Sequence, residues 1–253
     1  MSDIVVSHQG HVAVIELNRP ENNFFDVELI KAIADEVQSL EDAGHCRAIV
    51  LGARGRNFCA GANFGGNRDN TRGDGPNPLY VQGARLFDAT LPMVAAVQGA
   101  AIGGGLGLAC AADFRVGSQR SRFAANFSQL GFHPGFGLTE TLPGIVGQQN
   151  ALELFYSGER IDGARAKEIG LIDTLVEPGE ELARAVELAA RYATSAPLAV
   201  RSIKTTMRAA LATRVRAAMD REGSEQSRLM RTADFREGIR ASAAREQPQF
   251  TGS

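Results

Sequence analysis

Apolar positions recur along this chain in two rhythms. Ile4–Ser7 and Val12–Leu17 read as strands joined at Gln9-Gly10, and Ala48–Gly52 and Met93–Val97 are short apolar runs of the buried-strand kind. Between them Ile30, Ile33, Val37 and Leu40 return at helical spacing. Asp26 is placed to cap that helix and Gly44 to stop it. A further helix is expected over Tyr80–Ala89, another in the Ala-rich Leu106–Ala112, and a strand at Phe114–Val116. The polar, Gly-rich stretch from Gly65 to Pro78 reads as a mobile loop.

From about Gly147 the period becomes helical: Gln148–Tyr156, Ala164–Ile169 closed by Gly170, then Glu181–Tyr192 with Glu187 four residues ahead of Arg191. Pro197 suits the first turn of the next helix, which carries Val200, Ile203, Met207 and Leu211 on one side. Strands alternate with helices over the first 180 residues, which implies an α/β core. The expected division is a core over 1–195 and a helical region over 196–253.

Composition narrows the function classes. The chain has 253 residues and a net charge of -2, so no basic field gathers a nucleic-acid backbone. The basic residues from Arg201 to Arg245 are interleaved with acids and read as a solvated helical face. Cys46, Cys59 and Cys110 are odd in number and without a CxxC pair, which argues against disulfides or a metal site. The longest apolar run, Met93–Ala112, is broken by Gln98 and several glycines and makes a poor membrane span. The mixed polarity of the N-terminal residues shows no secretory leader, so a cytoplasmic protein is expected.

Candidate chemistry lies where small residues follow strands. Phe58-Cys59-Ala60-Gly61-Ala62-Asn63 follows the strand at Ile49, and Gly99 to Gly107, with the triplet Gly103-Gly104-Gly105, follows the strand at Val97. Glycine and alanine let a backbone approach a ligand closely. The second run leads into a helix, whose first N–H groups lack intrahelical acceptors and sit at the positive end of its dipole. One N–H from each segment would make an oxyanion hole for a thioester carbonyl. No GxGxxG, P-loop, GxSxG or HExxH pattern competes with this reading.

These residues, taken in order, resemble the crotonase (enoyl-CoA hydratase/isomerase) family. The likeness runs through Asn18-Arg19-Pro20, Phe58–Asn63, Ile102–Gly105, Ala111-Ala112-Asp113-Phe114, Phe123…Gly131…Pro134-Gly135-Phe136-Gly137, Gly158…Ala164…Gly170-Leu171-Ile172 and Glu237-Gly238…Pro248…Phe250. It implies an α/β spiral of ββα units, a C-terminal helical trimerisation region and a homotrimer or pair of trimers. It also implies an acyl-CoA substrate, with coenzyme A present only as part of that substrate and no separate cofactor. The family's oxyanion donors fall on the backbone N–H groups of Ala62 and Gly104. Cys59, Ala60, Gly61, Gly103, Gly107 and Phe127 would border the substrate, with Cys59–Ala62 against the adenine end of CoA.

The chain departs from the family where hydratases carry their two glutamates. Those positions are Gly107 and Phe127 here, and neither moves a proton. General acid–base groups each contribute about 10²–10⁴ in rate, so two-glutamate hydration is not expected. An enolate-type lyase or isomerase step remains, with a thioester hydrolase, a decarboxylase or a non-catalytic acyl-CoA binder as alternatives. His133, in the loop that supplies acids to other members of the fold, is the candidate base, weighed against a plain loop histidine. Glu140 is expected to be solvated. Asp69 and Asp74 belong to the Gly-rich loop and could fold over a substrate.

Overall fold

The computed structural model describes residues 2–62 and 77–253. Strands β1 (Ile4–Gln9) and β2 (Val12–Leu17) form the expected hairpin. Helix α1 (Val27–Ala43) follows, with the Asp26 carboxylate accepting the Leu29 N–H at its start and Gly44 left-handed at its end. Parallel pairing then adds β3 (Ala48–Ala53), β4 (Met93–Val97), β6 (Phe114–Ser118) and β9 (Thr174–Val176), in the order β1-β2-β3-β4-β6-β9.

Alternation along these strands builds two apolar layers. Val12, Val14, Ala48, Val50, Val94, Ala96 and Val116 pack against Ala185, Leu188 and Ala189 of helix α7 (Glu181–Ala193). The intervening Ala13, Ile15, Ile49, Leu51, Ala95 and Val97 face the main core, which takes in α1. That core also includes Ala212, Val215, Met219 and Phe235, so the C-terminal helices α8 (Pro197–Leu229) and α9 (Ala233–Ala244) close over the same interior.

A second sheet of β5 (Ala100–Ile102), β7 (Arg122–Ala124) and β8 (Arg160–Asp162) holds the site's backbone in place. Each of its strands has three residues, too few to show a period. β8 and β9 also interrupt the stretch read as helical from Gly147, alongside α5 (Gln148–Ser157) and α6 (Gly163–Glu168). Pro78, read as the end of a loop, is instead the first residue of helix α2 (Pro78–Leu86), capped by Asn77. The rest of that stretch, with Asn63, Asp69 and Asp74, lies outside the described residues.

Charged residues of the C-terminal region correct the sequence reading. Lys204 is only 8% exposed; its ammonium meets the Asp113 carboxylate at 2.8 Å and donates to the Leu91 carbonyl at 2.6 Å. Burial pulls the Lys204 ammonium below the ordinary lysine range, and Asp113 opposes that shift. Ile203 and Met207, read as part of one apolar side of α8, are 63% and 74% exposed, whereas Leu211 of that side packs against the core. Glu187 pairs with Arg184 at 2.8 Å, one turn before it, and Arg191 lies over the Tyr192 ring. Glu140 pairs with Arg214.

Candidate active site

Two backbone segments lie side by side. The Cys59 N–H donates to Ala100 O at 2.9 Å, and the Ile102 N–H donates to Cys59 O at 3.0 Å, so residues after Cys59 run parallel to β5. A Cβ added to Gly105 would stand 2.1 Å from Cys59 O, and one on Gly61 2.9 Å from Ile102 O. Only glycine permits that approach. Gly61 also has φ +95°, which favours glycine on its own account.

Ala62 follows on this segment, and helix α3 (Gly104–Ala111) follows β5 after Gly103. The N–H of Gly61's neighbour Phe25 donates to Gly61 O at 3.1 Å, and the Ala60 N–H donates to Asn22 O at 2.9 Å; the Ala62 N–H is in neither bond. At α3 no side chain caps the N-terminus, and Gly104, its first residue, has no acceptor within the helix. At the other end the Arg208 and Arg115 guanidiniums donate to Ala111 O and Ala112 O at 2.7 and 2.9 Å. Cations at the C-terminal carbonyls complement the dipole whose positive end points the other way.

Ala60, Gly61, Ala62, Gly103 and Gly104 share one cavity of about 540 Å³. Aromatic side chains also line it: Phe24, Phe25, Phe127, Phe132 and Phe136. Phe127 and Phe132 meet edge to face at 5.5 Å, and the Phe25 and Phe136 rings lie tilted at 5.6 Å. Tyr80 from α2 donates its hydroxyl to Gln226 Oε1 at 2.7 Å, and Gln226 Nε2 donates to His133 O at 2.9 Å. Among the described residues that line the cavity, Tyr80 is the one titratable side chain.

The structure sets three of the expected residues back from this cavity. Cys59 is fully buried beneath it, and burial pushes its thiol up to about 12, so it stays a neutral, packed group. Gly107 lies inside α3 under Phe136; a Cβ there would be 2.9 Å from Phe136 Cβ. His133 offers the cavity wall its main-chain carbonyl. Its ring is not among the lining groups, and Nδ1 contacts Pro134 O at 2.8 Å.

Phe136 was missed by sequence reasoning. It follows Gly135 with φ +62°, a conformation that a bulky residue adopts at a cost of roughly 1–3 kcal/mol. Its neighbours hold it there. Helix α4 (Leu138–Val146) begins beside it, and the buried Glu222 carboxylate accepts the Gly137 and Thr139 N–H groups at 2.8 and 2.9 Å and the Thr139 hydroxyl at 2.6 Å. Burial pushes this carboxyl up, and those donors oppose the shift. Gly107→Glu, which places a carboxylate at that position, should therefore not create a catalytic site. Overpacking against Phe136 should destabilise the protein by about 1–3 kcal/mol in denaturant titration. An unchanged midpoint would show that Phe136 yields freely.

The fold and the cavity define a mixed α/β protein whose two paired backbone segments open on an aromatic-walled pocket. The enoyl-CoA hydratase/isomerase family model matches residues 7–253. The chain is 31% identical to the 1,2-epoxyphenylacetyl-CoA isomerase of Escherichia coli (strain K12), covering all of both chains. It is 30% identical to a crotonyl-CoA hydratase of Syntrophomonas wolfei, over 98% of this chain and 97% of that one. An enoyl-CoA hydratase/isomerase structure from Pseudoalteromonas atlantica T6c superposes with a TM-score of 0.89 at 30% identity, covering 99% of this chain and all of that one. The chain belongs to the enoyl-CoA hydratase/isomerase family, the crotonases, and is an enzyme of hydratase/isomerase type.

Proposed function

We propose that the cavity binds an acyl-CoA thioester with its carbonyl oxygen between the backbone N–H groups of Ala62 and Gly104. The parallel run of the Cys59–Ala62 segment beside β5 and the start of α3 carries this reading. Negative charge that develops on the carbonyl oxygen, as enolate or tetrahedral oxyanion, meets two fixed donors and the positive end of α3. Each donor in such a hole is worth about 10²–10³ in kcat.

The step is an enolate-type lyase or isomerase reaction without a glutamate pair. No carboxylate, imidazole or amine stands among the described cavity-lining residues. That same feature favours a second reading, a thioester hydrolase or decarboxylase, which uses the hole without paired glutamates. Neither reading calls for a cofactor beyond the CoA that the substrate carries. The outward face of α8 with Leu198, Ile203 and Met207 supports assembly as a trimer or pair of trimers. Among the described residues no helix is long and apolar enough to cross a membrane.

Isotope-edited infrared spectroscopy of a carbonyl-labelled acyl-CoA tests the binding mode. Two hydrogen bonds in a water-poor cavity should polarise the C=O and lower its stretching frequency relative to the free thioester in water. A bound thioester with an unshifted band would contradict the hole.

A further inference from the structure

We propose that Asn126 determines specificity at this site by hydrogen-bonding an oxygen substituent, a hydroxyl or a keto group, on the first carbons of the acyl chain. This rests on the proposed seat of the thioester carbonyl at Ala62 and Gly104. Asn126 lines the cavity and is half-buried. The Gly103 N–H donates to Ala124 O at 2.8 Å, which ties the end of β7 to the residue preceding Gly104. From there Asn126 Oδ1 comes within 3.6 Å of the position a Cβ on Gly103 would take, beside the Phe127 ring edge at 3.7 Å. An amide thus stands next to the helix start that would hold the carbonyl oxygen.

The other polar side chains of the cavity wall are engaged or peripheral. Asn77 Oδ1 accepts the Leu79 N–H at the start of α2. Tyr80 and Gln226 bond each other, and Gln226 is fastened to His133 O. Ser242 is exposed near the end of α9. Among the described residues the Asn126 side chain makes no hydrogen bond within the protein. Its place is set by packing: a Cβ on Gly158 would stand 3.2 Å from Asn126 Cα, so the two backbone segments touch there.

The surroundings make this amide selective. Aromatic rings cover the wall beside it, so an acyl chain that fills the cavity strips water from Asn126. A purely hydrocarbon chain then leaves a donor and an acceptor unmatched, whereas a hydroxyl or keto oxygen restores a bond. A carboxamide serves both, because Nδ2 donates to a keto oxygen and Oδ1 accepts from a hydroxyl. It holds the substituent and transfers no proton.

Calorimetric titration with butyryl-CoA, 3-hydroxybutyryl-CoA and 3-oxobutyryl-CoA reads this from binding alone. The wild-type protein should bind both oxygenated thioesters roughly ten- to a hundredfold more tightly than butyryl-CoA. Asn126→Ala should bring all three to similar affinity. Asn126→Asp, nearly the same shape but acceptor-only, should keep the advantage of the hydroxyl compound and lose that of the keto compound. Equal binding of the three by the wild type, or a preference that survives in Asn126→Ala, overturns the role of Asn126. Failure of the wild type to bind any of the three instead overturns the acyl-CoA reading on which that role rests.

Discussion

Crotonyl-CoA should bind to this protein and be hydrated far more slowly than about 1 per second, the lower end of ordinary enzyme turnover. Hydration needs one group to take a proton from water and another to give one to the α-carbon. By the sequence resemblance, Gly107 and Phe127 fall where hydratases of the family are expected to carry glutamates. The structure closes both. Phe136 packs on Gly107, and the Phe127 ring, 5% exposed, stacks edge-on to Phe132. General acid–base groups contribute about 10²–10⁴ each, so the shortfall should reach several orders of magnitude even though paired effects rarely add. The measurement is the loss of the enoyl absorbance, with binding followed separately. A rate within about 1–10³ per second would show that the protein supplies its acids from elsewhere.

Long elements with their own caps were legible in the sequence. Helix α1 announced itself through Ile30, Ile33, Val37 and Leu40 with Asp26 and Gly44 at its ends, and β4 through an unbroken apolar run. The approach of the Cys59–Ala62 segment to Gly103–Gly105 was legible too, because small side chains let two backbones come close. What escaped was set by contacts between distant parts of the chain. Phe136 takes its place from packing against Gly107, Gly83 and Phe25, and α4 takes its cap from Glu222, 85 residues after Gly137. Neither leaves a local pattern.

The placement of His133, the candidate base, rests on contacts between distant parts of the chain. The room at Gly135 is used by the Tyr80 hydroxyl, which a Cβ there would meet at 2.1 Å. The loop turns the His133 carbonyl inward to Gln226, while its imidazole holds to Pro134 O. The exposure of two apolar residues of α8 has a related cause: Asp113 draws Lys204 and Arg208 inward, which rotates Ile203 and Met207 towards solvent.

In the proposed function, backbone N–H groups of Ala62 and Gly104 stabilise the charge formed on the thioester oxygen. Gly104 is a poor position to test, since any Cβ there would lie 2.1 Å from Phe25 Cζ and displace the ring. Ala62 already carries a Cβ and lines the cavity, so its N–H can be removed with less disturbance. The direct measurement is kcat for the acyl-CoA that the wild type turns over best, compared with Ala62→Pro and with a protein whose 61–62 peptide amide is replaced by an ester. Ala62→Gly, which keeps the N–H, serves as control. Loss of one oxyanion donor should lower kcat by about 10²–10³ in both altered proteins, with thioester affinity changed much less. Ala62→Gly should stay near the wild type. If the ester-containing protein turns over at the wild-type rate, the Ala62 N–H holds no developing charge and the account is contradicted.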